Sequence, residues 1–179
     1  ACIHPEERGA MERAWLALLE GQSPFDAEHR VLGPGGIRWV RHKINVECSP
    51  DGEPLRAVGT AQDVTERKEA ESQLERLAHY DVLTGLPNRA LLHDRMRQAT
   101  ARADREQAMF ALIFLDLDQF KEINDRLGHA AGDEVLKEAA HRILLCLRAT
   151  DTVARLGGDE FTVLLEDIHH VEEVSTVAL

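Results

Sequence analysis

Between Pro5 and Glu20 the apolar residues Met11, Trp15, Leu18 and Leu19 recur at helical spacing, and Gly21 closes the run. Three strand-like segments follow, Phe25 to Leu32, Ile37 to Cys48 and Leu55 to Val64. Gly33-Pro34-Gly35-Gly36 and Ser49-Pro50-Asp51-Gly52 separate them with turn chemistry. The pattern predicts an antiparallel meander preceded by one helix. Three strands and a helix are a thin basis for a core of their own, and the chain starts abruptly, so this region reads as cut at its front. From Thr65 to Tyr80 the sequence is densely charged, with only Ala70, Leu74 and Leu77 on one stripe. Thr65 is placed as the N-cap, with Lys68 where a capping box wants Glu or Gln. So narrow a seam suits a solvent-bridging linker helix or one half of a parallel coiled coil, and both stay open.

Beyond Asp81 the pattern alternates helix and strand. Asn88 to Glu106 reads as a helix after the turn Gly85-Leu86-Pro87, and Ala108 to Asp116 as a buried strand. Gln119 to Leu127 reads as a short helix, and Gly132 to Ala149 as a long one with Val135, Leu136, Ala139, Ile143 and Leu147 inward. Thr152 to Leu156 and Phe161 to Leu165 form a hairpin, and Val171 to Leu179 begins a further helix. This order implies an α+β protein whose second part is an α/β sandwich with a mostly antiparallel sheet, close to a ferredoxin-like unit and cut at its back. The divisions are 1–64, a linker helix at 65–80, and 81–179.

Charge narrows the partners. The 179 residues carry 21 Lys and Arg against 32 Asp and Glu, for a net charge of −11. A surface of that sign excludes bulk binding to nucleic acid or anionic lipid. A phosphate substrate must then be met by local amides, a few cations and metal ions. Cys2, Cys48 and Cys146 are scattered and match no metal-ligand spacing, which places the chain in a reduced, cytoplasmic compartment. Neither a membrane span nor a signal peptide is visible, leaving an anchor upstream as an open option.

Against that background the run from Arg155 to Leu165 stands out. Gly157-Gly158 and Asp159-Glu160 lie between two apolar stretches, so the hairpin has a permissive tip with carboxylates beside it. Asp116-Leu117-Asp118 ends another apolar run. Two strand-borne acid groups in one small region suggest two-metal phosphoryl or nucleotidyl transfer.

The motifs sharpen this. Asp81-Val82-Leu83-Thr84-Gly85-Leu86-Pro87-Asn88-Arg89 resembles the opening motif of the GGDEF family of diguanylate cyclases. Phe114 to Lys121, Asn124 to His129 with Gly132-Asp133, and Gly157 to Phe161 are similar to its following motifs, in the family's order. The upstream part resembles the second half of a PAS domain, through His4 to Arg8, Arg38-Trp39-Val40 and Gly59 to Arg67.

The GGDEF resemblance implies that two GTP molecules are joined into cyclic di-GMP with loss of pyrophosphate, one GTP per domain, so that two domains face each other. It implies a homodimer through the linker helix and the PAS part, and Mg2+ or Mn2+ as cofactor. By that resemblance Asp116, Glu160 and the backbone carbonyl of Leu117 ligate metal. Asp159 helps bind metal or accepts the 3′-hydroxyl proton. Gly157 and Gly158 give the nucleotide room. The amides of Gln119, Phe120 and Lys121 cradle phosphates, and Asn124 and Asp133 read guanine. Arg148 and Asp151 fit the family's RxxD product-inhibition site, the alternative being a helix-terminal Arg beside an Asp that starts a turn. Later phosphate-binding Lys and Arg are expected past Leu179, so low activity is expected of these 179 residues alone.

The remaining residues are read more plainly. Asp118 is assigned a structural role, His79 and Tyr80 packing roles, and Trp15 and Trp39 core positions. Adjacent His169 and His170 are not read as a metal pair. Asp63, Thr65 and Arg67 fit the boundary at which PAS domains grip their output helix. The PAS ligand stays unknown, since no histidine is assignable to haem and no cysteine to a flavin adduct. Two other classes stay open: an inactive GTP-binding regulator of a downstream EAL phosphodiesterase domain, and a PAS-driven dimerisation and sensing module.

Overall fold

The computed structural model describes residues 2–20, 24–106, 108–168, 170 and 173–174. Gly21, His169 and the helix expected over Val171 to Leu179, except for Glu173 and Val174, lie outside the described residues. The chain divides into two compact units, Ala1–Gln73 and Leu74–Leu179. The division falls inside the charged helix.

In the first unit a 3-10 turn, Pro5–Glu7, leads into α1, Arg8–Leu19. The strands β1 (Phe25–Gly33), β2 (Gly36–Cys48) and β3 (Pro54–Asp63) form an antiparallel sheet in that order, so the expected meander is present. Gly33 pairs with Gly36 across a tight turn, where the φ of 101° at Gly36 favours glycine. Leu18, Phe25 and His29 are buried between α1 and the sheet. The start of the chain is tied to β1: His4 N–H donates to the Arg30 carbonyl (2.8 Å), and Arg30 donates to Glu7 from its backbone (2.6 Å) and its guanidinium (2.7 Å). β3 is exposed along its whole length.

The tryptophans depart from expectation. Trp15 stays 38% exposed and meets Phe25 edge-on, with ring centroids 6.2 Å apart. Trp39 is half-buried, flanked by Arg30 and Lys68 at 5.8 and 5.5 Å from its ring centre. Cations over its face replace core packing.

The helix α2 spans Thr65–His79. Thr65 is its first residue rather than a cap that serves its own helix. Its hydroxyl accepts the Trp39 N–H (2.9 Å) and donates to Asp63 (2.6 Å), whose carboxylate also accepts the Thr65 N–H (3.0 Å). Asp63 thus supplies the negative charge at the helix start. The Thr65 hydroxyl and N–H, with Arg38 at 3.1 Å, hold its carboxyl below the usual range. Arg67 and Lys68 both reach Glu28 of β1, so the first turn of α2 is fastened to β1 and β2.

The second unit contains α3 (Arg89–Glu106), β4 (Met109–Asp116), α4 (Phe120–Leu127), α5 (His129–Leu145), β5 (Thr152–Gly157) and β6 (Glu160–Ile168). The sheet is antiparallel in the order β4-β6-β5, with β6 central. Phe161, Val163 and Leu165 of β6 pack with Leu136 and Ala140 of α5. Leu164 packs with Leu92 and Ala99 of α3 on the other face. Helices on both faces explain why Phe161 to Leu165 is buried without interruption. This is the expected sandwich.

The bounds of α5 differ from the sequence reading. It starts three residues earlier, at His129 after Gly128, whose φ is 85°. Gly132 falls inside it, where a Cβ would overlap the Asn124 side chain on α4, so this glycine serves close packing of the two helices rather than the helix start. The helix ends at Leu145, since Asp151 draws the following backbone into a turn of its own: its carboxylate accepts the Arg148 N–H (2.9 Å) and its N–H donates to the Arg148 carbonyl (3.0 Å).

Replacing Thr65 by Val keeps the shape but strands the Trp39 N–H. The variant should unfold with a loss of about 1–2 kcal/mol, read from urea denaturation followed by tryptophan fluorescence. An unchanged midpoint would show that the N–H finds water instead.

Candidate active site

Antiparallel pairing sets the carboxylates. Asp116 is the last residue of β4, Glu160 is the first of β6, and the two are direct register partners. Opposed residues of an antiparallel pair project from the same face, so these exposed acids stand side by side. Gly157 pairs with Glu160 on the other strand, leaving Gly158-Asp159 as the loop. Gly157 and Gly158 have φ of 145° and 55°, and a Cβ at either would meet nothing within 4 Å. Glycine is thus required by the backbone at the tip, and the space over it is open.

After β4 the chain turns sharply. Gln119 is left-handed, with φ 62° and ψ 17°, immediately before α4. The Leu117 carbonyl accepts the Phe120 N–H (3.2 Å), while Leu117 and Phe120 pack their side chains against the core. Among the three expected phosphate-cradling amides, that of Phe120 is therefore already engaged. Lys121 is exposed in the first turn of α4. Asn124 lies half-buried against Gly132, and Asp133 is exposed next to it in sequence on α5. α4 and α5 thus bring the expected guanine readers to neighbouring positions.

Asp159 is half-buried in the hairpin loop. Among the described residues no three His, Cys, Asp or Glu side chains converge tightly enough to hold a metal. Asp159 therefore does not join Asp116 and Glu160 in a ready three-carboxylate cluster. Asp118 is exposed in the turn past the end of β4 and is not one of the paired residues. Arg148 sits beyond the end of α5, 68% exposed, with Glu173 at 3.4 Å.

Arg155, which opens the hairpin motif, has a large part in this geometry that the motif alone does not reveal. Arg155 of β5 donates from Nε and Nη2 to the Gly158 carbonyl (3.0 and 2.7 Å) and from Nη1 to Asp81 (2.9 and 3.1 Å). Its own N–H donates to the Pro87 carbonyl (3.0 Å). Asp81 also accepts from the Thr84 hydroxyl (2.6 Å) and N–H (2.9 Å). Arg155 therefore clamps the glycine tip to the turn that follows α2. The available signal was a basic residue preceding the tip and an acid opening the first motif; no periodicity links two positions so far apart in sequence. His79 and Tyr80 stay exposed, and their link to this turn is through backbone, Asn88 N–H to the His79 carbonyl (2.9 Å) and a bridge from Tyr80 to Pro87.

Comparison with known proteins agrees with this arrangement. Residues 78–178 match the family described as "Diguanylate cyclase, GGDEF domain", and residues 1–61 match the PAS fold. The chain belongs to the GGDEF diguanylate cyclase family. The probable diguanylate cyclase DgcE of Escherichia coli K12 is 42% identical over 144 residues, 80% of this chain and 13% of DgcE. The GGDEF domain of TpbB (YfiN) from Pseudomonas aeruginosa superposes with a TM-score of 0.55 at 51% identity, over 56% of this chain and 58% of that one. The coiled coil and GGDEF domain of DgcB from Caulobacter crescentus, in complex with cyclic di-GMP, gives a TM-score of 0.58 at 32% identity, over 64% and 60%. The chain thus spans 22% or less of the length of the first curated relatives it matches.

Burial alone would push the Asp81 carboxyl up, but Thr84 and Arg155 outweigh it and hold it below the usual range. A lowered folded-state pKa stabilises above the unfolded value, near 3.9, and that contribution fades as pH falls through the folded one. Asp81→Asn should therefore cost about 2–3 kcal/mol at pH 7, and the gap to the parent should narrow below about pH 4. Urea unfolding at pH 7 and pH 3 measures both; a gap that stays constant would remove charge pairing as its origin.

Proposed function

We propose that the protein is a diguanylate cyclase that joins two GTP molecules into cyclic di-GMP with release of pyrophosphate, under the control of its PAS unit. The observation that carries this is the register pair Asp116–Glu160 beside an open Gly157-Gly158 tip. The donor set, two adjacent carboxylates and the Leu117 carbonyl at the strand end, fits Mg2+ or Mn2+. When bound, such ions offset triphosphate charge and make the 3′-hydroxyl more acidic.

The protein's own groups do the rest. Asp116 and Glu160 hold negative charge at fixed positions on one face of the sheet. Asp159 is the loop carboxylate assigned to accept the 3′-hydroxyl proton. Gly157 and Gly158 let the nucleotide approach the backbone, and the amides of Gln119 and Lys121, with the Lys121 ammonium, meet its phosphates. Asp133 accepts from guanine N1–H and N2–H, while the Asn124 amide both donates and accepts.

One such site holds one GTP, so the reaction needs two copies. α2 offers a seam for that pairing: Leu74 and Leu77 are 66% and 50% exposed, and no residue of the helix is buried. This supports the coiled-coil reading of the charged helix. An inactive regulator is less well supported, because each motif position in the chain carries a residue suited to the chemistry.

Full-length protein incubated with GTP and magnesium should yield cyclic di-GMP and pyrophosphate, with Glu160→Gln reducing the rate about a hundredfold or more. GTP binding by a dimer without product would sink the cyclase reading.

Product feedback is assigned to Arg148, whose exposed guanidinium can take phosphate or guanine bidentately, while Asp151 shapes its turn. Arg148→Ala should raise the cyclic di-GMP concentration needed for half-inhibition about tenfold or more. Inhibition that is unchanged in this variant refutes the assignment.

A further inference from the structure

Arg148, to which product feedback is assigned, is already engaged by another side chain of the same unit. In the turn after α5 the Asp151 carboxylate accepts the Arg148 backbone N–H, so this acid shapes the turn while the guanidinium extends outward. What faces the guanidinium comes from past the end of β6. Nη1 and Nη2 of Arg148 both donate to one oxygen of Glu173, Oε2, at 3.4 and 3.5 Å.

Glu173 is anchored through its other oxygen. Oε1 accepts the His170 N–H (3.1 Å), and the Glu173 N–H donates to the His170 carbonyl (3.1 Å). Glu173 is helical, and this reciprocal pair is the closure that a Glu makes at a helix start with the residue three positions before it. A carboxylate fixed by one oxygen loses little further freedom in presenting the second. At 28% exposure it is also the more enclosed partner, against 68% for Arg148.

The contact occupies the guanidinium without satisfying it. A guanidinium meets a carboxylate or phosphate best through two parallel N–H···O bonds of about 2.8 Å, one to each oxygen. Here two donors share a single oxygen at longer range, and one partner is open to solvent, so the pair is weak. A phosphate that offers two oxygens can displace it. The displaced carboxylate, still tied to His170, then stands close to the incoming negative charge.

We propose that Glu173 is an internal competitor for the product: it occupies Arg148 when cyclic di-GMP is absent and raises the product concentration at which feedback begins. This rests on the assignment of feedback to Arg148 and adds the residue that sets its threshold. The contrary role, in which Glu173 accepts from guanine N1–H and N2–H, has the opposite sign in the same experiment.

Calorimetric titration of cyclic di-GMP into the full-length protein, without GTP, reads the contact apart from turnover. Glu173→Gln removes the charge yet keeps an acceptor for the His170 N–H, so the helix start is retained. It should lower the dissociation constant about two- to fivefold. That gain should shrink as KCl rises from ~50 to ~500 mM, because salt screens an exposed pair. Glu138→Gln, which removes the same charge from a pair with Arg142 on α5, should leave binding unchanged. Arg148→Ala should weaken binding, and Glu173→Gln added to it should give no gain.

If the parent takes up no product, or Arg148→Ala binds it as the parent does, the feedback assignment fails and the competitor falls with it. If Arg148→Ala loses binding while Glu173→Gln binds no tighter than the parent, the assignment stands and only the competitor is refuted. An equal gain in Glu138→Gln, or a gain that persists without Arg148, would trace the effect to bulk charge and overturn the proposal as well.

Discussion

The arrangement of the second unit depends on the register of one strand. β6 is buried on both faces, with Phe161, Val163 and Leu165 against α5 and Leu164 against α3. A slip of one residue would turn each of these side chains to the opposite helix, exchanging Phe161 for Thr162 in the larger cluster. The core therefore fixes which residue of β6 stands opposite the end of β4. That residue is Glu160, and its partner is Asp116. Two like charges side by side are unfavourable in isolation, so their apposition is imposed by the packing behind them rather than by any attraction of their own.

Arg155 extends that constraint from the strands to the loop. A glycine pair with positive φ at both positions has many alternatives in the unfolded chain and little of its own to hold it in the folded one. The guanidinium supplies what the glycines lack by gripping the Gly158 carbonyl with two donors. It is held in turn by Asp81, and at 11% exposure for the Arg155 side chain this pair is screened less than the surface ion pairs on α2 and α5. The turn that carries Asp81 is also bound to the last residues of α2, through Asn88 to the carbonyls of Ala78 and His79. A displacement of that helix end therefore has a short, hydrogen-bonded route to the glycine tip.

Much of this was legible in the sequence, and the parts that were not share a cause. Periodicity places the strands and helices because each element buries a face, and the motif residues fall at element ends because that is where turns admit polar groups. Thr65 was legible as a residue of the helix start, yet its hydroxyl serves Trp39 on another strand. The bounds of α5 escape the helical period because Gly132 reads as a boundary by residue type yet lies inside the helix, close against Asn124, while past the far end Asp151 folds back on Arg148. The tryptophans were assigned to the core on residue type, whereas Trp39 is placed by two cations. In each case the sequence pattern locates the element and a side-chain contact across elements sets its detail.

Charge supplies the last step. Asp116, Asp159 and Glu160 concentrate negative charge at the hairpin in a chain that is already at −11. A triphosphate brought to that place under the proposed activity meets repulsion, and the local cations are few. Arg155 is spent on Asp81 and Gly158, so its positive charge is largely answered within the protein. Lys121 remains exposed at the start of α4, where it can meet a phosphate but cannot balance three carboxylates and a nucleotide. Helix-end amides add only fractional charge. Under the proposed activity, the same acids that would repel a free triphosphate suit one that arrives with divalent cations, so charge at the hairpin favours the metal-bound form.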